Sequence, residues 1–180
     1  MFITKPIGLG ILSTAQKRDV ITPEHAVEMI HFMTQLNSIG SLLANVSGVT
    51  AMTDVTGFGL LGHCIEMAEG TGLSIELFYS KIPVVEGAKE YLSKRIVPDA
   101  TYRNWNSYSA KTAFEKGVNV MEAFNLLPDP QTNGGMLFSV NENNIEEVIA
   151  LLKANGYEDF ITPIGRFTEA KEKTILVSQG

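Results

Sequence analysis

Thr53-Asp54-Val55-Thr56-Gly57-Phe58-Gly59-Leu60-Leu61-Gly62-His63 gathers one carboxylate, two threonine hydroxyls and three glycines into eleven residues. An apolar run from Val49 to Met52 leads in, and a helical apolar pattern leads out. A strand-to-helix switch of this kind offers backbone N–H groups and the positive end of a helix dipole, which suits phosphate. A carboxylate beside phosphate calls for a cation between them, most often Mg²⁺. The chemistry indicated is a metal–phosphate site, with Asp54 as metal ligand and Thr53 and Thr56 beside the phosphate. Asp54 has a plainer reading as a helix N-cap. One carboxylate does not complete a Mg²⁺ site, so its partners must come from elsewhere.

Gly57, Gly59 and Gly62 also satisfy G-x-G-x-x-G, and Glu76 follows Gly57 by 19 residues, near the spacing of a ribose-binding acid. Three features weigh against a dinucleotide fold. Asp54 and Thr56 are polar where that turn is apolar. Glu76 alternates with Ile75 and Leu77, as a solvent-facing residue does. The order downstream is not a series of βαβ units. Glycines serving only close helix packing remain a third reading.

A second polar loop, Asp129-Pro130-Gln131-Thr132-Asn133-Gly134-Gly135, reads either as a tight turn or as a backbone lip over phosphate, with Gln131, Thr132 and Asn133 as donors. His63 lies on the apolar helix and reads as a satisfied core histidine. His25 and His31, six apart, lack a ligand spacing and read as surface residues. Cys64, between Leu61 and Ile65 in helical register, reads as a buried structural thiol. Arg103 could clamp phosphate, but stacking on Trp105 and Tyr102 is preferred. The Glu142–Glu147 acids read as a solvated helix face.

The elements positioning these residues follow from pattern. Phe2 to Lys5 is a short strand followed by a Gly8/Gly10 turn. Thr22 caps a helix with Pro23 at its first position, and Val27, Ile30 and Met33 with Ala26, Met29 and Leu36 form its apolar face. Gly40 to Val46 is helical. The helix after Asp54 is apolar almost all round, hence buried on both sides. Leu73 to Leu77 is a strand and Glu86 to Lys94 a helix. Pro98 to Ser109 is an ordered loop, and Ala110 to Leu127 is ambiguous. Met136 to Val140 is a strand, Asn141 caps a helix ended by Asn155-Gly156, and Phe160–Phe167 and Thr174–Val177 form a hairpin around Glu169–Lys173. This order predicts one α+β domain, with a mixed, largely antiparallel sheet.

Composition bounds the function. The chain has 180 residues, 44% of them hydrophobic, which is ordinary for a globular domain. Its net charge of −6 argues against broad nucleic-acid binding, which needs a basic footprint. No apolar run approaches the roughly 20 residues of a membrane helix. The first residues read as no signal peptide, and one cysteine with seven methionines suits a reducing cytoplasm. An opening strand with nothing before it to pair with suggests that an upstream segment is missing.

The Thr53–His63 stretch followed by Asp129–Gly135 resembles the C-terminal domain of the selenide, water dikinase (selenophosphate synthetase) family. Thr4-Lys5-Pro6-Ile7-Gly8-Leu9-Gly10 resembles the segment where that domain starts, and Arg103-Asn104 matches a similar pair. The resemblance runs from about Ile3 to Ser178. It places the chain in the aminoimidazole ribonucleotide synthetase-related C-terminal domain superfamily, with thiamine-monophosphate kinase, the amidotransferase partner that makes formylglycinamidine ribonucleotide, and a hydrogenase-maturation protein. Asn133 departs from the family, where serine or a similar small hydroxyl is typical.

The resemblance implies an α/β sandwich partly like a ferredoxin fold. It implies that residues 1–180 are the C-terminal domain of a two-domain ATP-dependent synthetase, with the N-terminal ATP-binding domain absent. The implied reaction converts ATP, selenide and water to selenophosphate, AMP and phosphate with Mg²⁺. Asp54 would join aspartates of the N-terminal domain around the metal. The nucleophilic cysteine or selenocysteine and its lysine would precede Met1, so no catalytic residue is expected in this chain, which alone should be inactive. A homodimer is implied for the full-length enzyme. The alternatives are a related purine- or thiamine-pathway enzyme and a standalone interaction domain.

Overall fold

Strand β2, Val49–Asp54, runs into the Thr53–His63 junction and pairs antiparallel with β5, Met136–Val140, with a register shift between Val49 and Ala51. A computed structural model describes residues Met1–Gly180. Strand β5 is the centre of a three-stranded antiparallel sheet, with β1, Phe2–Ile3, on its other edge. Side-chain alternation fixes the two faces. Phe2 stands opposite Phe138 and Ile3 opposite Leu137. The two phenyl rings stack at 5.4 Å. They join a small core with Ile39, Leu43, Val148 and Leu152, supplied by helices α3, Ile39–Leu43, and α8, Ile145–Ala154. Ile3 and Leu137 belong to the larger core.

A second, four-stranded sheet has the order β4-β7-β3-β6, built from β4 Thr112–Phe114, β7 Ile175–Ser178, β3 Ser74–Phe78 and β6 Gly165–Thr168. The β3–β6 pair is antiparallel, and the β3–β7 and β4–β7 pairs are parallel. The α+β class with mixed, largely antiparallel pairing is borne out, although the strands divide between two sheets. The expected terminal hairpin is not formed, because β3 lies between β6 and β7. The connecting turn straddles the start of β3: the Ser74 hydroxyl accepts from the Lys171 N–H at 2.8 Å, and the Ile75 N–H donates to the Thr174 carbonyl at 2.9 Å. Residues 158–160 form a 3₁₀ turn rather than the start of a strand.

Helix α4, Gly59–Thr71, is buried from Gly59 to Ile65 and again at Ala68, as its all-round apolar pattern requires. Helix α2, Pro23–Thr34, starts as expected, with the Thr22 hydroxyl accepting from the His25 N–H. Its apolar face is not a core face, however. Only Met29 is buried, and Val27, Ile30 and Leu36 are 69%, 54% and 75% exposed. The remaining helices are α1, Leu9–Lys17; α5, Ala88–Ser93; α6, Asp99–Tyr108; and α7, Val120–Leu126.

Two of these correct the pattern reading. The Gly8/Gly10 turn is the start of helix α1, with Leu9, Ile11, Leu12 and Ala15 buried. The loop over 98–109 is mostly helix α6. Thr101, Trp105 and Tyr108 lie at i, i+4 and i+7 on its inner side, a helical spacing masked by polar neighbours.

Candidate active site at the end of strand β2

Asp54 is the last residue of β2, opposite Met136, and its exposed carboxylate has no hydrogen-bond partner in the chain. Val55 then turns inward and is fully buried, and its N–H donates to the Gly135 carbonyl at 3.0 Å. The next residues turn sharply into α4. Gly59 sits at φ +70°, a region that side chains disfavour, and packs against the backbone of Pro128. Asp54 is therefore not the cap of α4, since Val55 to Phe58 intervene.

The junction is held from inside by His63. Its Nε2 accepts from the Thr56 N–H at 3.1 Å, and the Thr56 hydroxyl lies 3.1 Å from the same nitrogen. An accepting Nε2 places the ring proton on Nδ1. Nδ1 lies 3.0 Å from the Glu66 carboxylate, close but misaligned for a hydrogen bond. His63 is thus the buried core histidine expected, satisfied at Nε2 but not at Nδ1, and its Nε2 fixes the turn behind Asp54. The Thr53 hydroxyl bonds its neighbour, the Asp54 carbonyl, at 3.3 Å.

The Asp129–Gly135 loop lies directly across this junction. The Gln131 N–H donates to the Thr56 carbonyl at 3.0 Å. The Leu61 N–H in the first turn of α4 donates to the Leu127 carbonyl at 2.9 Å, so protein already occupies a donor that a phosphate would use. Asn104 clamps the two segments, its amide donating to the Gly57 carbonyl at 2.8 Å and the Pro128 carbonyl at 2.9 Å.

The loop's polar side chains diverge. Asp129 and Gln131 are buried and cap α1: the Asp129 carboxyl accepts from Gly10 N–H at 3.0 Å, and the Gln131 side-chain oxygen from Leu9 N–H at 3.1 Å. The Gln131 amide donates back to Asp129 at 2.8 Å. Burial pushes the Asp129 carboxyl up to about 8, against the pull of these donors, and its Oδ1 has no partner. Asn133 turns the other way. Its amide donates to the Met33 and Gln35 carbonyls, at the C-terminal end of α2. It sits at φ +52°, which asparagine tolerates better than serine, a local reason for this departure. Thr132 alone among the loop's polar side chains is exposed with no hydrogen bond inside the chain.

Lys5, in the opening motif, is fully buried and received no role from pattern. Its ammonium donates to the Gln35 carbonyl at 2.7 Å, the Asn133 carbonyl at 2.8 Å and the Phe32 carbonyl at 3.3 Å. A cation among the last carbonyls of α2 complements the helix dipole. With no carboxylate beside it, burial lowers the ammonium to about 8. Cys64 is fully buried in the core, and burial pushes its thiol up to about 12, which makes it a poor nucleophile. Arg103 is not stacked: the cation–π contact of the molecule is Lys94 over Tyr91, and Trp105 and Tyr102 pack on Phe124 instead.

Asp54, Thr53 and Thr56 are thus contiguous at one open end of β2. Gln131 touches that junction through its backbone, while Thr132 and Asn133 face away from each other. No group of three His, Cys, Asp or Glu side chains stands ready to hold a metal. An exposed, unpartnered carboxylate such as that of Asp54 can serve as one metal ligand but cannot hold the ion alone.

Residues 2–178 match the family model for AIR synthase related protein, C-terminal domain. The chain belongs to this family. It is 44% identical over 177 residues to the selenide, water dikinase of Haemophilus influenzae, across 98% of this chain and 49% of that protein. It is 40% identical over 177 residues to the selenide, water dikinase of Photorhabdus laumondii, with the same coverage. The chain spans about half the length of the curated relatives it matches. Among solved structures, E. coli HypE, a hydrogenase maturation protein, aligns with a TM-score of 0.63 and 17% identity over 99% of this chain and 45% of that one. Thiamine-monophosphate kinase from Stenotrophomonas maltophilia K279a aligns with a TM-score of 0.61 and 11% identity over 98% of this chain and 48% of that one. At these identities the likeness is one of fold. No helix is long and apolar enough to cross a membrane.

Proposed function

We propose that this chain is the C-terminal domain of a selenide, water dikinase and contributes Asp54 to a Mg²⁺–ATP site shared with an N-terminal domain. The whole enzyme would convert ATP, selenide and water to selenophosphate, AMP and phosphate, as a homodimer in the cytoplasm. The observation that carries this reading is the Asp54 carboxylate, exposed and unpartnered at the end of β2 on a junction braced by His63, Asn104 and Gln131. Its support from relatives is 44% identity over 98% of the chain.

Mg²⁺ bound by Asp54 and carboxylates from the other domain would neutralise phosphate charge during transfer. The chain's own part is to hold Asp54 in place. With the Leu61 N–H bound to Leu127 and the Thr56 hydroxyl turned to His63, phosphate contacts come chiefly from outside these residues.

The test is a nucleotide assay of a longer protein that contains this sequence. Selenide-dependent conversion of ATP to AMP, absent from residues 1–180 alone, is the expected result. Selenide-independent release of ADP would point to a kinase of another substrate class, and AMP formation by residues 1–180 alone would overturn the shared site.

A further inference from the structure

A cleft of about 510 Å³ lies between one side of α1, the start of α6 and the Pro130–Thr132 turn. Lys17 and Arg18 line it from α1 and Arg103 from α6, and Ser13 and Thr132 add hydroxyls. Asp99 is the one carboxylate in the lining. A chain of net charge −6 thus brings three of its 14 lysines and arginines to one cleft. None of the three pairs with a carboxylate; the ion pairs of the molecule use His63, Lys89, Lys94, Lys111 and Arg166. Arg18 donates to the Arg95 carbonyl at 3.4 Å, a long bond that leaves most of its five donors free.

Helix dipoles account for part of this arrangement only. Lys17 and Arg18 end α1, where cations are favoured, but Arg103 lies in the first half of α6, where they are not. The first turn of α6, Asp99 and Ala100, also lines the cleft, and Pro98 at its cap position supplies no side-chain acceptor. Thr132 points the same way: it is the polar loop side chain left without a partner at the β2 junction. Guanidinium, ammonium and hydroxyl donors lining one cleft of this size suit a small phosphorylated ligand.

We propose that this cleft binds a phosphoryl-bearing small molecule through Lys17, Arg18 and Arg103, with Thr132 and Ser13 as neutral donors. The site does not depend on the reaction proposed above. Asp99 limits the cleft's charge to net +2, which favours a compact oxyanion over a polyanionic chain.

The test is calorimetric titration of the 180-residue chain at low ionic strength with inorganic phosphate, pyrophosphate and AMP. The variants are Lys17→Gln/Arg103→Gln and, as a control of equal charge change, Lys116→Gln/Lys153→Gln. The expected result is binding of at least one probe, weakened about tenfold or more by the cleft pair and less than about twofold by the control. Phosphate or pyrophosphate binding without AMP identifies an inorganic ligand, and preferred AMP binding identifies a nucleotide; either supports the site. Equal weakening by both pairs, or no binding of any probe at roughly 10 mM, would overturn it. Thermal melts establish that the variants, all at exposed positions, remain folded.

Discussion

Gly59 approaches Pro128 so closely that a β-carbon on Gly59 would stand 2.6 Å from the Pro128 carbonyl carbon. The same glycine holds φ +70°. Gly57, two residues earlier in the same G-x-G-x-x-G string, has nothing within 4 Å of its would-be β-carbon. Two glycines of one motif therefore do different work. Gly59→Ala is expected to lower stability by about 2–4 kcal/mol, from backbone strain together with overpacking. Gly57→Ala should change it by less than about 1 kcal/mol. Urea unfolding of the two variants measures the contrast, and equal effects would contradict this packing role.

Asp54 is exposed and bonded to nothing within the chain, so its removal should cost function rather than folding. In a longer protein with activity, Asp54→Asn should reduce turnover by about 100-fold or more, as loss of a ligand or key electrostatic group does. Stability should shift by no more than about 0.5 kcal/mol. A lower melting temperature with unchanged turnover per folded molecule would mark Asp54 as structural.

Lys5 ties three carbonyls from two segments, the end of α2 and the Asn133 turn. Lys5→Met preserves the stem and strands the carbonyls. A cost of about 2–4 kcal/mol is expected, chiefly from buried acceptors left unpaired. Hydrogen exchange should quicken at the Val55 and Met136 amides, which donate to the Gly135 carbonyl and the Thr4 hydroxyl, before it does in α4. Uniform quickening would show that Lys5 does not act locally on the loop.

Asp129 gives the fold a specific pH response. Its folded-state value of about 8 lies above the ordinary carboxyl value of 3.8, so the native state binds the extra proton between those limits. Its contribution to stability is full below about 4 and declines as pH rises through about 8. Asp129→Asn keeps an oxygen for the Gly10 N–H and cannot ionise. The variant should match the parent below about pH 4, exceed it at pH 8 and lose that part of the pH dependence in urea unfolding. A parent that is relatively more stable than the variant at pH 8 would contradict the buried neutral carboxyl.

The elements most legible in the sequence are those set by local signals. Thr22 and Pro23 announce α2, and the all-round apolar pattern after Asp54 announces a doubly buried α4. Helix α1 was hidden because Gly10 breaks helix propensity. The reason for that glycine lies 119 residues away, where Asp129 binds its N–H and the Pro130 carbonyl would stand 2.5 Å from a β-carbon. Helix α2 carried a misleading stripe, since periodicity marks an apolar face without saying what covers it. At the site, Asp54 and the strand-to-helix turn were readable. The capture of α4's Leu61 N–H by Leu127, and the division of the Asp129–Gly135 loop between α1 and α2, depend on contacts far apart in sequence, beyond the reach of a motif.

The most direct measurement is the structure of a longer protein containing this chain with Mg²⁺ and a non-hydrolysable ATP analogue. The account predicts an Asp54 carboxylate oxygen at about 2.1 Å from a Mg²⁺ that also contacts the nucleotide phosphates. A metal–nucleotide site completed without Asp54, with that carboxylate still facing solvent, would contradict it.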